Sequence, residues 1–153
     1  MAVLPAADIR RAVRQGLEED AGRGDVTTAA LFPKAVPARA RIVAQQTLIV
    51  AGMAPAVQAF LTVDASLPLT VVKKDGSRAG SGETLLSIEG DGRSILTAEP
   101  VALNFLQHLS GIATLTSRFR QAVHGSRVEI LDTRKTIPGW RALQKWAVAL
   151  GGG

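Results

Sequence analysis

Two adjacent cations at the end of an apolar run are the residues best equipped for chemistry in this 153-residue sequence. They stand in Asp132-Thr133-Arg134-Lys135-Thr136, directly after residues 127–131 (RVEIL). The Arg134 guanidinium offers a planar fork of donors that matches a carboxylate or a phosphate through two parallel bonds. Lys135 adds a mobile point charge and Thr133 a small hydroxyl, so the three together suit recognition of an anion. An exposed basic loop without a ligand has the same composition, and residue types alone leave both readings open. Position adds weight. In α/β barrels and open α/β sheets, function gathers in loops at the C-terminal ends of strands. RVEIL reads as a buried strand, which places 132–136 at such an end.

Other candidates are weaker. His108 falls at the edge of a helical apolar stripe and reads as a packed or exposed helix histidine rather than a catalytic one. The only other histidine is His124 and there is no cysteine, so thiolate metal sites and disulfides are excluded and a histidine-rich metal centre has too few ligands. The glycine-rich stretch 77–83 lacks the Gly-Lys-Ser/Thr ending of a phosphate loop and precedes a strand instead of opening a helix, so it reads as a turn. A net charge of +5 draws anions in general. Aromatic content is only 4%, without tyrosine, and no basic run carries interleaved stacking residues, so no nucleic-acid partner is expected.

Targeting signals are equally sparse. The apolar start at residues 1–5 is too short for a signal peptide, which argues against reading Arg23-Gly24-Asp25 as an adhesion tripeptide. The longest uncharged stretch, 42–63, is interrupted by Gln45, Gln46, Gly52, Pro55 and Gln58; it reads as a strand then a helix, and no membrane segment is expected. A cysteine-free chain suits a reducing cytosol, so a cytoplasmic location is expected.

The elements that must position the loop follow from periodicity. Apolar residues at helical spacing predict a helix over 9–19, after which Asp25, Thr27 and Thr28 can cap a turn. The β-branched run 39–51 predicts one or two strands, and 54–61 a short helix begun by Pro55. Strands are predicted over 69–73, ending at the Asp75-Gly76 turn, and over 84–88 between glycine turns. Ala102, Phe105, Leu106, Leu109, Ile112, Leu115, Phe119 and Val123 carry a helical stripe from about 97 to 123, with Gly111 as its weak point. Pro138-Gly139 marks a turn before an amphipathic helix over 140–150. The fold class is therefore α/β. Residues 1–111 form an α+β N-terminal domain with a sheet, helices and the start of the long helix. Residues 112–153 hold the end of that helix and the first βα unit of an incomplete α/β barrel, since a complete one takes roughly 250 residues.

Three blocks carry a resemblance. LDTRKTIPGWRALQKWAVALGGG (131–153), ALNFLQHLSGIAT (102–114) and EDAGRGDVTT (19–28) are similar, in order and spacing, to the N-terminal part of the quinolinate phosphoribosyltransferase family, the carboxylating nicotinate-nucleotide pyrophosphorylases. The resemblance implies a pentosyltransferase of NAD biosynthesis. Such an enzyme transfers phosphoribosyl from phosphoribosyl pyrophosphate to the pyridine nitrogen of quinolinate and removes the 2-carboxylate, giving nicotinate mononucleotide. It also implies a homodimer in which one subunit's N-terminal domain closes the partner's barrel mouth. Thr133, Arg134 and Lys135 match the family's substrate-binding loop. Mg²⁺ would accompany phosphoribosyl pyrophosphate, with no ligand from this chain and no complete catalytic set within it.

Two departures accompany the likeness. Where the family has Glu-Arg, with the arginine reaching quinolinate from the partner's side, this sequence has Glu99-Pro100. Proline disfavours helical geometry at Glu99, so Thr97 is expected to cap the long helix with Pro100 in its first turn. The sequence also ends at Gly153, before the family's His-Arg substrate pair and later acidic ligands. The expectation is an N-terminal fragment that binds quinolinate weakly and turns nothing over alone. The alternative is a non-catalytic dimerisation or barrel-capping module.

Overall fold

The computed structural model describes residues 4–22 and 24–153. Arg23 of the Arg-Gly-Asp tripeptide, and most of the apolar start, lie outside the described residues. Helix α1 (Ala6–Ala21) buries Ala12 and Val13 and turns Arg10, Arg11 and Arg14 to solvent, as its apolar spacing requires. Its Gly16 lets Val101 approach, since a Cβ there would sit 3.0 Å from a Val101 methyl. Asp25 then caps the short helix α2 (Val26–Leu31), its carboxylate accepting from the Thr28 N–H at 2.8 Å. The hydrogen bonds from Thr28 hold its carboxyl below the usual range.

The run 39–51 divides into β1 (Pro37–Val43) and β2 (Leu48–Ile49). After helix α3 (Met53–Val63) come β3 (Leu69–Val71), β4 (Arg78–Ala79) and β5 (Thr84–Asp91). β5 is central in an antiparallel sheet ordered β1-β5-β3, with Pro37 opposite Asp91 and Ile88 facing both Ala40 and Leu69. β2 and β4 form a separate antiparallel ribbon. Along β1, Arg39 and Arg41 face solvent while Ala38, Ala40 and Ile42 turn inward, the period-two pattern of a half-buried strand.

Pro55 is the third residue of α3, which begins at Met53. The start is set from across the chain: the Asp75 carboxylate accepts from the Met53 N–H at 2.9 Å and the Ala54 N–H at 3.2 Å. Burial pushes the Asp75 carboxyl up from its ordinary value, and the N–H groups of Met53, Ala54 and Gly52 pull it back. Asp75→Ala leaves two helix-end donors without an acceptor and is expected to lower stability by about 1–3 kcal/mol. A urea-unfolding midpoint unchanged from wild type would contradict this account of the cap.

Helix α4 (Gly92–Ala122) is 31 residues long, or roughly 46 Å at 1.5 Å per residue. It corrects the expectation for Thr97. The N-cap is Asp91, whose carboxylate accepts from the Arg93 N–H at 3.1 Å, and the helix runs unbroken through Pro100. Thr97 instead donates its hydroxyl to Asp25 at 3.2 Å, tying α4 to the α2 cap. Two forces outweigh the proline. Asp91 is a strong cap at the end of β5, and Ile95 and Ala98 must be helical to reach the core. The cost is lowered because Leu96, Glu99 and Pro100 all face water, where the Leu96 carbonyl, deprived of an N–H by the ring, can be solvated. Pro100→Ala is therefore expected to raise stability, by about 2 kcal/mol once the proline's restriction of the unfolded chain is deducted. Differential scanning calorimetry reads this directly, and a lower Tm would show that the proline is accommodated without loss.

The stripe on α4 is buried only in part. Ile95, Val101, Ala102, Phe105, Leu106, Leu109 and Ala113 join the core, whereas Leu115 and Phe119 are each 54% exposed. Gly111 does not interrupt the helix. Two small polar residues of the same face dock the β2–α3 segment: Thr114 Oγ1 accepts from the Ile49 N–H at 2.9 Å. Ser110 Oγ accepts from the Ala51 N–H and donates to its carbonyl, both at 3.0 Å.

RVEIL is the second correction. Residues 127–131 form no strand, and Val128 and Leu131 are 53% and 78% exposed. A central parallel strand exists only by pairing with neighbours on both edges. Among the described residues none lies beside this one, so the composition that favours a strand has no ladder to join. Helix α5 (Arg141–Leu150) follows as expected and buries Leu143, Gln144 and Ala147 against α4.

Candidate functional site

Loop 132–140 is shaped by its own short turns and by the first turns of α5. The Thr133 hydroxyl accepts from the Lys135 N–H at 3.2 Å, and the Arg134 carbonyl accepts from the Thr136 N–H at 3.0 Å. This places Thr133, Arg134 and Lys135 consecutively on one exposed turn. Among the described residues neither cationic side chain takes part in an ion pair. Both charges are available to a ligand, and both are open to screening by salt.

Arg141, Gln144 and Lys145 stand at i, i+3 and i+4 of α5 and so share one face. All three hold the loop. Arg141 donates Nη2 to the Arg134 carbonyl at 3.4 Å and Nε to the Thr136 hydroxyl at 3.3 Å. Lys145 Nζ meets the Asp132 carboxylate at 2.5 Å. Gln144 accepts from the Ile137 N–H at 3.1 Å, and its amide nitrogen lies 2.7 Å from His108 Nε2. Reading the sequence misses these three: their spacing puts them on one face of the helix after the loop, but every amphipathic helix has such a polar face.

Trp140 is the second anchor. It stacks on Phe105 of α4 with ring centroids 4.6 Å apart and planes 18° apart, and the His108 ring stands nearly perpendicular to it with centroids 5.5 Å apart. His108 is thus part of the packing that seats the loop. It also lines, with Glu19, Asp20, Asn104, Ile137 and Trp140, a cleft of about 580 Å³ between α1, α4 and the loop. A second hollow of about 490 Å³ lies between the loop and α1, where Arg11 and Asp8 pair, beside Arg141 and Lys145. At the second hollow Asp8 is neutralised by Arg11 and Lys145 by Asp132, which leaves Arg141 as its unpaired cation among the described residues, whereas the cleft beside His108 carries Glu19 and Asp20. The charge open to an anion is therefore that of Arg134 and Lys135 themselves, with Arg141 beside them.

Among the described residues no three His, Asp or Glu side chains converge closely enough to hold a metal ion. No helix among them is long and apolar enough to cross a membrane.

Comparison with known proteins decides the family. Residues 25–110 match the model for the quinolinate phosphoribosyl transferase N-terminal domain, and residues 112–153 match that for its C-terminal domain. The chain belongs to the quinolinate phosphoribosyltransferase family. A quinolinate phosphoribosyltransferase [decarboxylating] of Nicotiana glauca is 43% identical over 150 residues, covering 97% of this chain and 42% of that protein. The carboxylating nicotinate-nucleotide pyrophosphorylase of Mycobacterium leprae is 41% identical over 148 residues, covering 94% of this chain and 52% of that protein. The solved nicotinate-nucleotide pyrophosphorylase of Francisella tularensis superposes with a TM-score of 0.93 at 35% identity, over 99% of this chain and 53% of that one. The chain thus spans about half the length of the relatives it matches. Its mixed helix-and-sheet architecture is that of this quinolinate phosphoribosyltransferase family, with the loop 132–140 inside the stretch that matches the C-terminal domain model.

Proposed function

We propose that the Thr133-Arg134-Lys135 turn binds the carboxylates of quinolinate. In this reading the chain supplies the recognition element for transfer of phosphoribosyl from phosphoribosyl pyrophosphate to the pyridine nitrogen, with loss of the 2-carboxylate. The observation that carries the reading is the pair of exposed cations, adjacent on a turn whose backbone is held from α5 and unneutralised by any ion pair among the described residues. Quinolinate is a pyridine with two neighbouring carboxylates, and a guanidinium fork beside an ammonium complements that pair. Mg²⁺ enters with phosphoribosyl pyrophosphate and takes no ligand from the described residues. The functional unit is a homodimer at work in the cytoplasm, and its N-terminal part, 1–111, closes the partner's site while 112–153 presents the turn.

Isothermal titration of the purified chain with quinolinate tests this. Arg134→Ala should weaken binding by about 10- to 150-fold, the equivalent of one charge-assisted bond of about 1.5–3 kcal/mol. Nicotinate, with one carboxylate, should bind more weakly than quinolinate to wild type. Equal affinity of wild type and Arg134→Ala, or no binding by either, would overturn the assignment. A dimerisation or barrel-capping module is the second reading, favoured by the exposure of Leu115 and Phe119 on α4. Both readings expect self-association, and the quinolinate titration separates them.

A further inference from the structure

A turn that grips a planar dicarboxylate must hold its cations to within a fraction of an ångström, and positions set by a loop alone are looser than that. Loop 132–140 has no strand to stiffen its approach. Its contacts with Arg141 and Lys145 are exposed and lead only to α5, the helix the loop runs into. Gln144 differs in both respects. It is 9% exposed, and it joins the loop backbone at Ile137 to His108 on α4.

We propose that Gln144 is the positioning residue of the anion-binding turn, and that it works by locking His108 in a single tautomer. The Ile137 N–H can only donate, so the amide oxygen of Gln144 must face it. That leaves the amide nitrogen, also a donor, toward His108 Nε2. The 2.7 Å contact is a hydrogen bond only if Nε2 carries no proton. The ring proton therefore resides on Nδ1, and the same ring stands nearly perpendicular to Trp140, itself stacked on Phe105. One buried amide thus references the loop to the longest rigid element of the fold. A side chain that only filled space at position 144 would pack equally well and leave the Ile137 N–H without its acceptor.

The substrate arm of this inference rests on the quinolinate reading; the loop-order arm does not. ¹⁵N-labelled wild-type chain should show His108 protonated at Nδ1 and bare at Nε2 in long-range ¹H–¹⁵N correlation spectra. Gln144→Leu should speed hydrogen exchange at the Ile137 amide at least tenfold and broaden the amides of residues 133–137. It should also weaken quinolinate binding about tenfold. Ile88→Val, a core change on the distant β5, should do none of these things at a comparable loss of Tm. Gln144→Glu keeps an acceptor for the Ile137 N–H and can accept a hydrogen bond from His108 Nε2–H once the ring changes tautomer, so it should restore both protection and affinity. Unchanged Ile137 exchange in Gln144→Leu, or a wild-type His108 protonated at Nε2, overturns the proposal whatever happens to binding. Faster exchange with no quinolinate binding by wild type sustains the proposal and removes the quinolinate reading instead.

Discussion

Replacing Phe105 by alanine should lower the stability of this chain by about 3–5 kcal/mol, the range for truncating a fully buried aromatic. Phe105 is 1% exposed and is among the largest fully buried side chains. Its ring also forms the platform for Trp140 at 4.6 Å, which adds about 0.5–1.5 kcal/mol beyond simple burial. Few domains have more than about 5–15 kcal/mol to lose. The variant should therefore unfold at markedly lower urea, followed by circular dichroism at 222 nm. Because Trp140 is one of two tryptophans, the change should also be visible as a red-shifted emission in the still-folded protein, when Trp140 loses its stack. Phe105→Leu keeps most of the volume and should cost less than half as much. A loss under 1 kcal/mol for the alanine variant would mean that the seat of the loop collapses without penalty, which a close-packed core does not permit.

The second large effect is expected at Gly52. Its φ is +98°, and a Cβ built there would lie 2.7 Å from the carbonyl oxygen of Phe105. Backbone strain of about 1–3 kcal/mol for a side chain in this region adds to an overlap with α4 backbone that cannot rotate away, so Gly52→Ala should cost about 2–4 kcal/mol. Gly82 supplies the control. It has a similar φ of +83° but nothing within 4 Å of an added Cβ, so Gly82→Ala should cost only the conformational part, about 1 kcal/mol. If the two variants unfold at the same urea concentration, the close approach of α3 to α4 does not limit what residue 52 can be. Gly52 and Phe105 lie on opposite sides of the same seam, so their effects are not expected to add.

Local signals were the readable ones. The helix over 9–19, the Asp25 cap, the β5 run and the α5 helix each depend on residues close together in sequence, and each is found where spacing and turn chemistry put it. The misreadings are contests settled at long range. Thr97 is a sound N-cap in isolation and lost to Asp91, because β5 ends there and Ile95 and Ala98 have to reach the core. RVEIL has strand composition, but a strand is a property of a pair, and nothing in five residues reveals whether a neighbour is present. Asp75 capping α3 and Ser110 clasping Ala51 span 21 and 59 residues of chain, distances at which no spacing rule operates. At the candidate site, the cations Arg134 and Lys135 were legible from type and adjacency. Gln144 was not, since a glutamine on an amphipathic helix looks like any other polar residue until its two partners, His108 and Ile137, are seen to converge on it.

The unbroken run of α4 has a mechanical consequence. The stretches matching the N-terminal and C-terminal domain models meet at residue 111, within a single 31-residue helix. There is accordingly no hinge at the seam. Across the same seam Trp140, from the second stretch, stacks on Phe105, from the first. The two stretches thus share one helical axis and one contiguous core, so neither buries its apolar face without the other.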